Sequence, residues 1–142
     1  MSYVLRPVDM NKCIGCFTCM LVCSAVNHSD HSTAKSAIVV RTIGGMTTSY
    51  IATVCRSCAE PECREVCPAD ALEPRPGGGV LVNADKCFGC RKCVAACSVR
   101  AVKFDKETQK PIICHHCGVC ATFCPHECLL MEEVEEVTGN AQ

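Results

Sequence analysis

Seventeen cysteines in 142 residues limit this chain more than any other feature, because sixteen of them fall into four tight runs. The runs are Cys13, Cys16, Cys19, Cys23; Cys55, Cys58, Cys63, Cys67; Cys87, Cys90, Cys93, Cys97; and Cys114, Cys117, Cys120, Cys124. The first, third and fourth read C-x2-C-x2-C-x3-C, the second reads C-x2-C-x4-C-x3-C, and Cys128 alone stands outside. Pro68 and Pro125 follow the last cysteine of runs two and four.

Thiols spaced this way are metal ligands. Three thiolates two residues apart can wrap a loop around one face of an iron-sulfur cubane, each meeting a different iron, and a fourth must come from elsewhere. The spacing thus predicts four [4Fe-4S] clusters. Zinc uses C-x2-C pairs too, but needs two such pairs to close one tetrahedron and has no place for a third cysteine at the same spacing. A disulfide scaffold is disfavoured by the odd count and by neighbours too close in sequence to bridge comfortably.

Composition agrees. Two Tyr, four Phe and no Trp leave a core short of large side chains, so bound clusters are expected to fill it. Fourteen Lys plus Arg against fifteen Asp plus Glu give a formal charge of −1, and no overall field draws the chain to nucleic acid. Met1 to Val8 carries no apolar leader, and no apolar stretch is long enough to span a membrane. A cytoplasmic location, where thiols stay reduced, is expected.

Lys12-Cys13-Ile14-Gly15-Cys16 answers Lys86-Cys87-Phe88-Gly89-Cys90, and Cys67-Pro68-Ala69-Asp70-Ala71-Leu72 answers Cys124-Pro125-His126-Glu127-Cys128-Leu129. The chain therefore reads as one domain over 1–142 with an internal repeat, about 1–80 and 81–142. Ser36 to Ile43 and Thr47 to Val54, rich in Val, Ile and Thr, flank Gly44-Gly45 and predict an inserted hairpin over about 36–54. Turns are expected at Pro74 to Gly79, between extended pieces near Leu72 and Val80 to Val82, and at Asp105 to Lys110, between Ala101 to Phe104 and Pro111 to Ile113. Short helices are expected to begin near each fourth cysteine. Gly77-Gly78-Gly79 is read as a turn, since no lysine and helix start follow it as a phosphate loop requires.

The runs carry the bacterial ferredoxin spacing. In this order, with the second stretched, they resemble the four-cluster ferredoxin subunits of molybdenum and tungsten oxidoreductases, formate dehydrogenases and hydrogenases. The short length, the string SAIVVRTIGGM and the ending ICHHCGVCATFCPHECL look most like small subunits partnering tungsten enzymes of the aldehyde ferredoxin oxidoreductase family; benzoyl-coenzyme A reductases use a similar subunit. The resemblance implies an α+β fold of duplicated bacterial (2×[4Fe-4S]) ferredoxin-like modules, with short helices and β-hairpins around four clusters. It also implies a nested pairing: Cys13, Cys16, Cys19 with Cys124; Cys114, Cys117, Cys120 with Cys23; Cys55, Cys58, Cys63 with Cys97; and Cys87, Cys90, Cys93 with Cys67. Spacing alone leaves that pairing open, because runs three and four are near enough to form a two-cluster module unaided.

Function follows from the same resemblance: an electron-transfer subunit between a tungstopterin or molybdopterin catalytic subunit and a redox partner such as a flavin/NAD chain. Two contact faces would also allow stacking with copies of itself. A free polyferredoxin, or a subunit of a benzoyl-coenzyme A reductase, formate dehydrogenase or hydrogenase complex, is the alternative. Run four lacks the long insertion of larger relatives and no anchor follows it, so membrane-quinone coupling is not expected. No catalytic motif stands out, and the chain is not expected to be an enzyme alone. His28 and His31 read as polar residues at a helix end, His115 and His116 as partly exposed loop residues, and Cys128, in the place of Ala71, as a small buried side chain. Glu132, Glu133, Glu135 and Glu136 read as a solvated acidic tail, while Arg91 and Lys92 read as exposed cations able to steer an acidic partner.

Overall fold

The computed structural model describes residues 2–43 and 49–135. The expected hairpin turn at Gly44-Gly45, with Thr47 and Thr48, and the acidic Glu136 lie outside them.

Only short elements form, and the cysteine loops dictate where. Among the described residues eight strands occur: β1 (Ser2–Pro7), β2 (Val39–Ile43), β3 (Ser49–Thr53), β4 (Leu72–Pro74), β5 (Val80–Val82), β6 (Lys103–Asp105), β7 (Lys110–Ile112) and β8 (Leu129–Val134). They pair as four separate two-stranded antiparallel sheets, β1–β8, β2–β3, β4–β5 and β6–β7. The β2–β3 pair sets Val39 opposite Thr53, where β-branched residues pack well across strands. Among the described residues no helix is long and apolar enough to cross a membrane.

Four α-helices in the same residues complete this α+β architecture: α1 (Thr18–His28), α2 (Glu62–Glu65), α3 (Lys92–Ala96) and α4 (Val119–Phe123). The expectation that helices begin near each fourth cysteine is corrected here. Each helix instead begins beside the third cysteine, and α3 and α4 end at Cys97 and Cys124, which take extended backbone at φ −68 and −71. The cause lies in the loop: left-handed residues Phe17, Arg91 and Gly118 cap α1, α3 and α4 at their starts, turning the backbone from loop into helix. Pro125 then cannot continue α4. Only α1 runs on past its fourth cysteine, Cys23, to His28.

Glu132, Glu133 and Glu135 are exposed, as expected of a solvated acidic segment, but not as a loose tail. Glu132 and Glu133 belong to β8, opposite Val4 and Tyr3, and Arg6 Nε lies 3.5 Å from Glu132 Oε2. The β1–β8 pair ties the two ends of the described residues together, from Ser2 opposite Val134 to Pro7 opposite Leu129.

Two apolar clusters lie between these pieces. One gathers Leu5, Met20, Ala37, Ile38, Val40, Val54, Ile112 and Leu129 with Cys23, Cys114 and Cys120; the other gathers Leu72, Val80, Val102 and Ile113 with Cys93. Ligand-type cysteines thus sit in the core itself. Gly78 and Gly79 at the β4–β5 turn have φ of +90° and +78°, and Gly79 N–H donates to Cys58 O at 2.9 Å. A Cβ on Gly79 would stand 3.2 Å from Ser57 Cα, so the glycines let this hairpin lie directly on the second cysteine loop.

Candidate metal centres

The third residue of the first C-x2-C step in each run has a positive φ: Gly15 at +70°, Ser57 at +51°, Gly89 at +79° and His116 at +59°. Left-handed backbone at this point curls the loop so that its N–H groups face inward. Ser57 and His116 adopt it at a cost of about 1–2 kcal/mol each. One consequence is visible at His116, whose N–H donates to Cys114 Sγ at 3.4 Å.

The fourth cysteine of each run accepts a backbone N–H, from four residues on in runs two to four and from fourteen residues on in run one. Cys23, Cys67 and Cys97 each accept an N–H at 3.3 Å, from Ala37, Ala71 and Ala101, and Cys124 accepts one from Cys128 at 3.4 Å. The donors are all buried and small. Cys128, 2% exposed, therefore fills the place taken elsewhere by alanine.

Three hollows bring cysteines from different runs together. Cys13, Cys16, Cys19 and Cys124 line one enclosing about 360 Å³ of empty space including its mouth; Cys67, Cys87, Cys90 and Cys93 line another of about 310 Å³. Cys23, Cys114, Cys117 and Cys120 line the third and largest, about 760 Å³, with His28 and His115 beside them. Cys55, Cys63 and Cys97 also pack against one apolar cluster, with Cys58 in the same loop as Cys55. Burial raises the Cys63 pKa to about 11, with the charges of Cys55 and Cys97 adding to it, and burial raises Cys55, with Cys58 and Cys97 adding.

The other groups feel the same forces. Burial pushes Cys19 up to about 11, and Cys124, Cys16 and Cys13 push it further. Burial takes Cys114 and Cys120 to about 12, with Cys23 contributing to both. Crowded thiols of this kind ionise only with positive charge among them, which a metal centre supplies. None of the seventeen cysteines is bridged to another in a disulfide. Among the described residues no three Cys, His, Asp or Glu converge tightly enough for a single ion. Four sulfurs surrounding a space fit a multi-iron group, and the donor set, all cysteine, is that of a [4Fe-4S] cluster.

Packing sets the groups side by side. Cys13, Cys19, Cys23, Cys55, Cys114 and Cys120 lie in or against one apolar cluster and Cys55, Cys63, Cys67, Cys93 and Cys97 in or against the other, so Cys55 meets both. The second cysteine of each run, Cys16, Cys58, Cys90 and Cys117, is exposed.

His116 differs from its expected place. It is 4% exposed, and its Nδ1 accepts the Leu5 N–H at 2.9 Å, which fixes the proton on Nε2. Burial, with Arg75 and Arg6 nearby, lowers its pKa to about 4, so the ring is neutral. His116→Ala is expected to cost about 2–4 kcal/mol, from the cavity and from the orphaned Leu5 N–H, read as earlier thermal loss of visible absorbance. An unchanged transition would show that the ring is dispensable. Sequence reasoning missed this residue because its partner lies on β1. His115, by contrast, is exposed, as are His28 and His31.

Residues 55–108 match an LdpA Fe-S cluster-binding domain, and residues 113–135 match a 4Fe-4S binding domain. The arsenate respiratory reductase iron-sulfur subunit ArrB of Shewanella sp. (strain ANA-3) is 34% identical over 104 residues, 71% of this chain. This chain spans only 44% of the length of ArrB. The B component of the polysulfide reductase of Wolinella succinogenes is 30% identical over 143 residues, covering 90% of this chain and 75% of that one. In fold, a component of the active site complex BamBC of benzoyl coenzyme A reductase, solved with 1,5-dienoyl-CoA, matches all of this chain and 84% of its own length, with a TM-score of 0.53 and 20% identity.

Proposed function

Because this protein belongs to the iron-sulfur family that includes the B component of polysulfide reductase, we propose that it is an electron-transfer subunit carrying four [4Fe-4S] clusters. It relays electrons between a tungsten aldehyde oxidoreductase-like catalytic subunit and a redox partner, such as a flavin/NAD chain, in the reducing cytoplasm. It performs no bond chemistry alone. The observation that supports this reading best is that hollows are lined by three cysteines of one run and the last cysteine of another.

The proposed ligand sets are Cys13, Cys16, Cys19, Cys124; Cys23, Cys114, Cys117, Cys120; Cys55, Cys58, Cys63, Cys97; and Cys67, Cys87, Cys90, Cys93. A duplicated ferredoxin-like module accounts for them. It is supported by the recurring left-handed residues and by the N–H bond that the residue four positions on donates to Cys67, Cys97 and Cys124. When bound, such clusters each exchange one electron, at potentials set by burial and by hydrogen bonds to sulfur. The protein's part is to place donors. Asn27 Nδ2 lies 3.6 Å from Cys23 Sγ, and Thr18 Oγ1 donates to Cys16 Sγ at 3.3 Å. Apolar residues such as Ile38, Leu72 and Val80 keep water from the inner thiols.

Tagged protein drawn anaerobically from its native host is expected to emerge with a large tungsten-pterin subunit in fixed proportion, read by mass spectrometry and metal analysis. Elution as a lone monomer would remove the subunit reading and leave a free polyferredoxin.

A further inference from the structure

The first and third cysteine loops share one backbone but not one chemistry. Gly15 and Gly89 take φ of +70° and +79°, and Phe17 and Arg91 take φ of +57° and +64° at matching positions. On the first loop the tip is Ile14, Phe17 and Thr18, and nearby Lys12 is paired with Asp9 at 3.4 Å. On the third the same positions hold Phe88, Arg91 and Lys92, with Lys86 beside them. The scaffold is satisfied by Phe and Thr, so it does not require the two cations.

Phe88 is 66% exposed, and Arg91, Lys92, Lys86 and the ligand-type Cys90 around it are exposed too. Arg91 is held in place, its Cζ 4.3 Å from the Phe104 ring centroid, and Lys110 Nζ donates to Cys87 O in the same loop. Among the described residues only Lys86 of the three cations has an acidic neighbour, Glu73 at 4.0 Å, an exposed pair worth little. An exposed aromatic flanked along the same loop by exposed cations with so little internal pairing has the anatomy of a docking site for a protein of opposite charge. The loop's exposed Cys90 also lines the hollow shared by Cys67, Cys87 and Cys93.

We propose that the face formed by Phe88, Arg91, Lys92 and Lys86 is the docking surface for an acidic redox protein, and that electrons enter or leave the protein there. The inference rests on the electron-transfer reading. Each encounter passes one electron from the reduced protein to a one-electron acceptor, dithionite having supplied it.

The test is stopped-flow reduction of two acceptors, an acidic rubredoxin and the basic cytochrome c, by the cluster-loaded protein. Rubredoxin reduction is expected to slow roughly tenfold when salt is raised from low to 0.5 M, and by a similar factor in Arg91→Glu/Lys92→Glu at low salt. Cytochrome c should not slow in that variant. Lys92→Glu alone keeps the Arg91–Phe104 contact and should show a smaller loss, guarding against misfolding. Leu21→Glu/Val26→Glu places two carboxylates on the exposed side of α1, away from the third loop, and should leave the rubredoxin rate within about twofold. Equal slowing by both double variants, or none by either, would overturn the docking surface while leaving the electron carrier intact. Failure of the loaded wild type to reduce either acceptor would overturn the carrier reading as well. Salt-sensitive self-association abolished by Arg91→Glu/Lys92→Glu would show that a second copy occupies the face, against the proposal.

Discussion

Stripped of iron by an anaerobic chelator, the chain is expected to lose its helices and hairpins together with its visible absorbance, leaving no folded apoprotein. The elements are too small to stand alone. Every described sheet has two strands, α2, α3 and α4 are four or five residues long, and isolated pieces of those sizes are marginal in water. The core is thin as well: its largest fully buried apolar side chains are Leu5, Ile38, Leu72, Val4 and Val80, and no Phe or Tyr is among the described buried residues. Removing the metal would leave buried thiols facing empty space, so binding energy and folding energy become one quantity. Far-UV circular dichroism followed against iron content, beginning at about sixteen irons per chain for four clusters, makes the comparison. An iron-free chain that keeps its dichroism would refute the dependence.

A second large effect is expected from paired ligand substitutions. If Cys16 and Cys124 serve one cluster, Cys16→Ala, Cys124→Ala and the double variant should each lose the same cluster, about four irons. Cys90→Ala combined with Cys124→Ala should instead lose about eight. Pairing of run three with run four as a self-contained module predicts the reverse, the Cys90 and Cys124 lesions merging and the Cys16 and Cys124 lesions adding. Cys128→Ala is the control. It keeps the N–H donated to Cys124 Sγ and matches the buried Ala71 and Ala101, so its iron content should not change. Anaerobic iron and sulfide analysis with spectroscopy of the reduced protein separates the cases.

Much of the molecule could be read locally. The thiol spacings determined iron-sulfur binding, since a three-cysteine loop of that pitch suits a cubane and little else. Gly77 to Gly79 and Asp105 to Lys110 marked the turns of β4–β5 and β6–β7 because turn chemistry resides in the residues that make it. Helix starts were misjudged. The left-handed turn at Phe17 or Arg91 comes from the curl of the loop, and nothing in a Phe or Arg announces it. The β1–β8 pair and the burial of His116 were also hidden, as each depends on a partner more than a hundred residues away.

By itself, then, the sequence determined the cofactor chemistry, the turns and the repeated loops, all of which act over a few residues. Which cysteines share a hollow, and the exposure of Phe88 beside two cations, were decided by the tertiary structure. A run can offer its last sulfur to any neighbour within reach, and only packing of α1 against α4 and of α2 against α3 brings particular runs together.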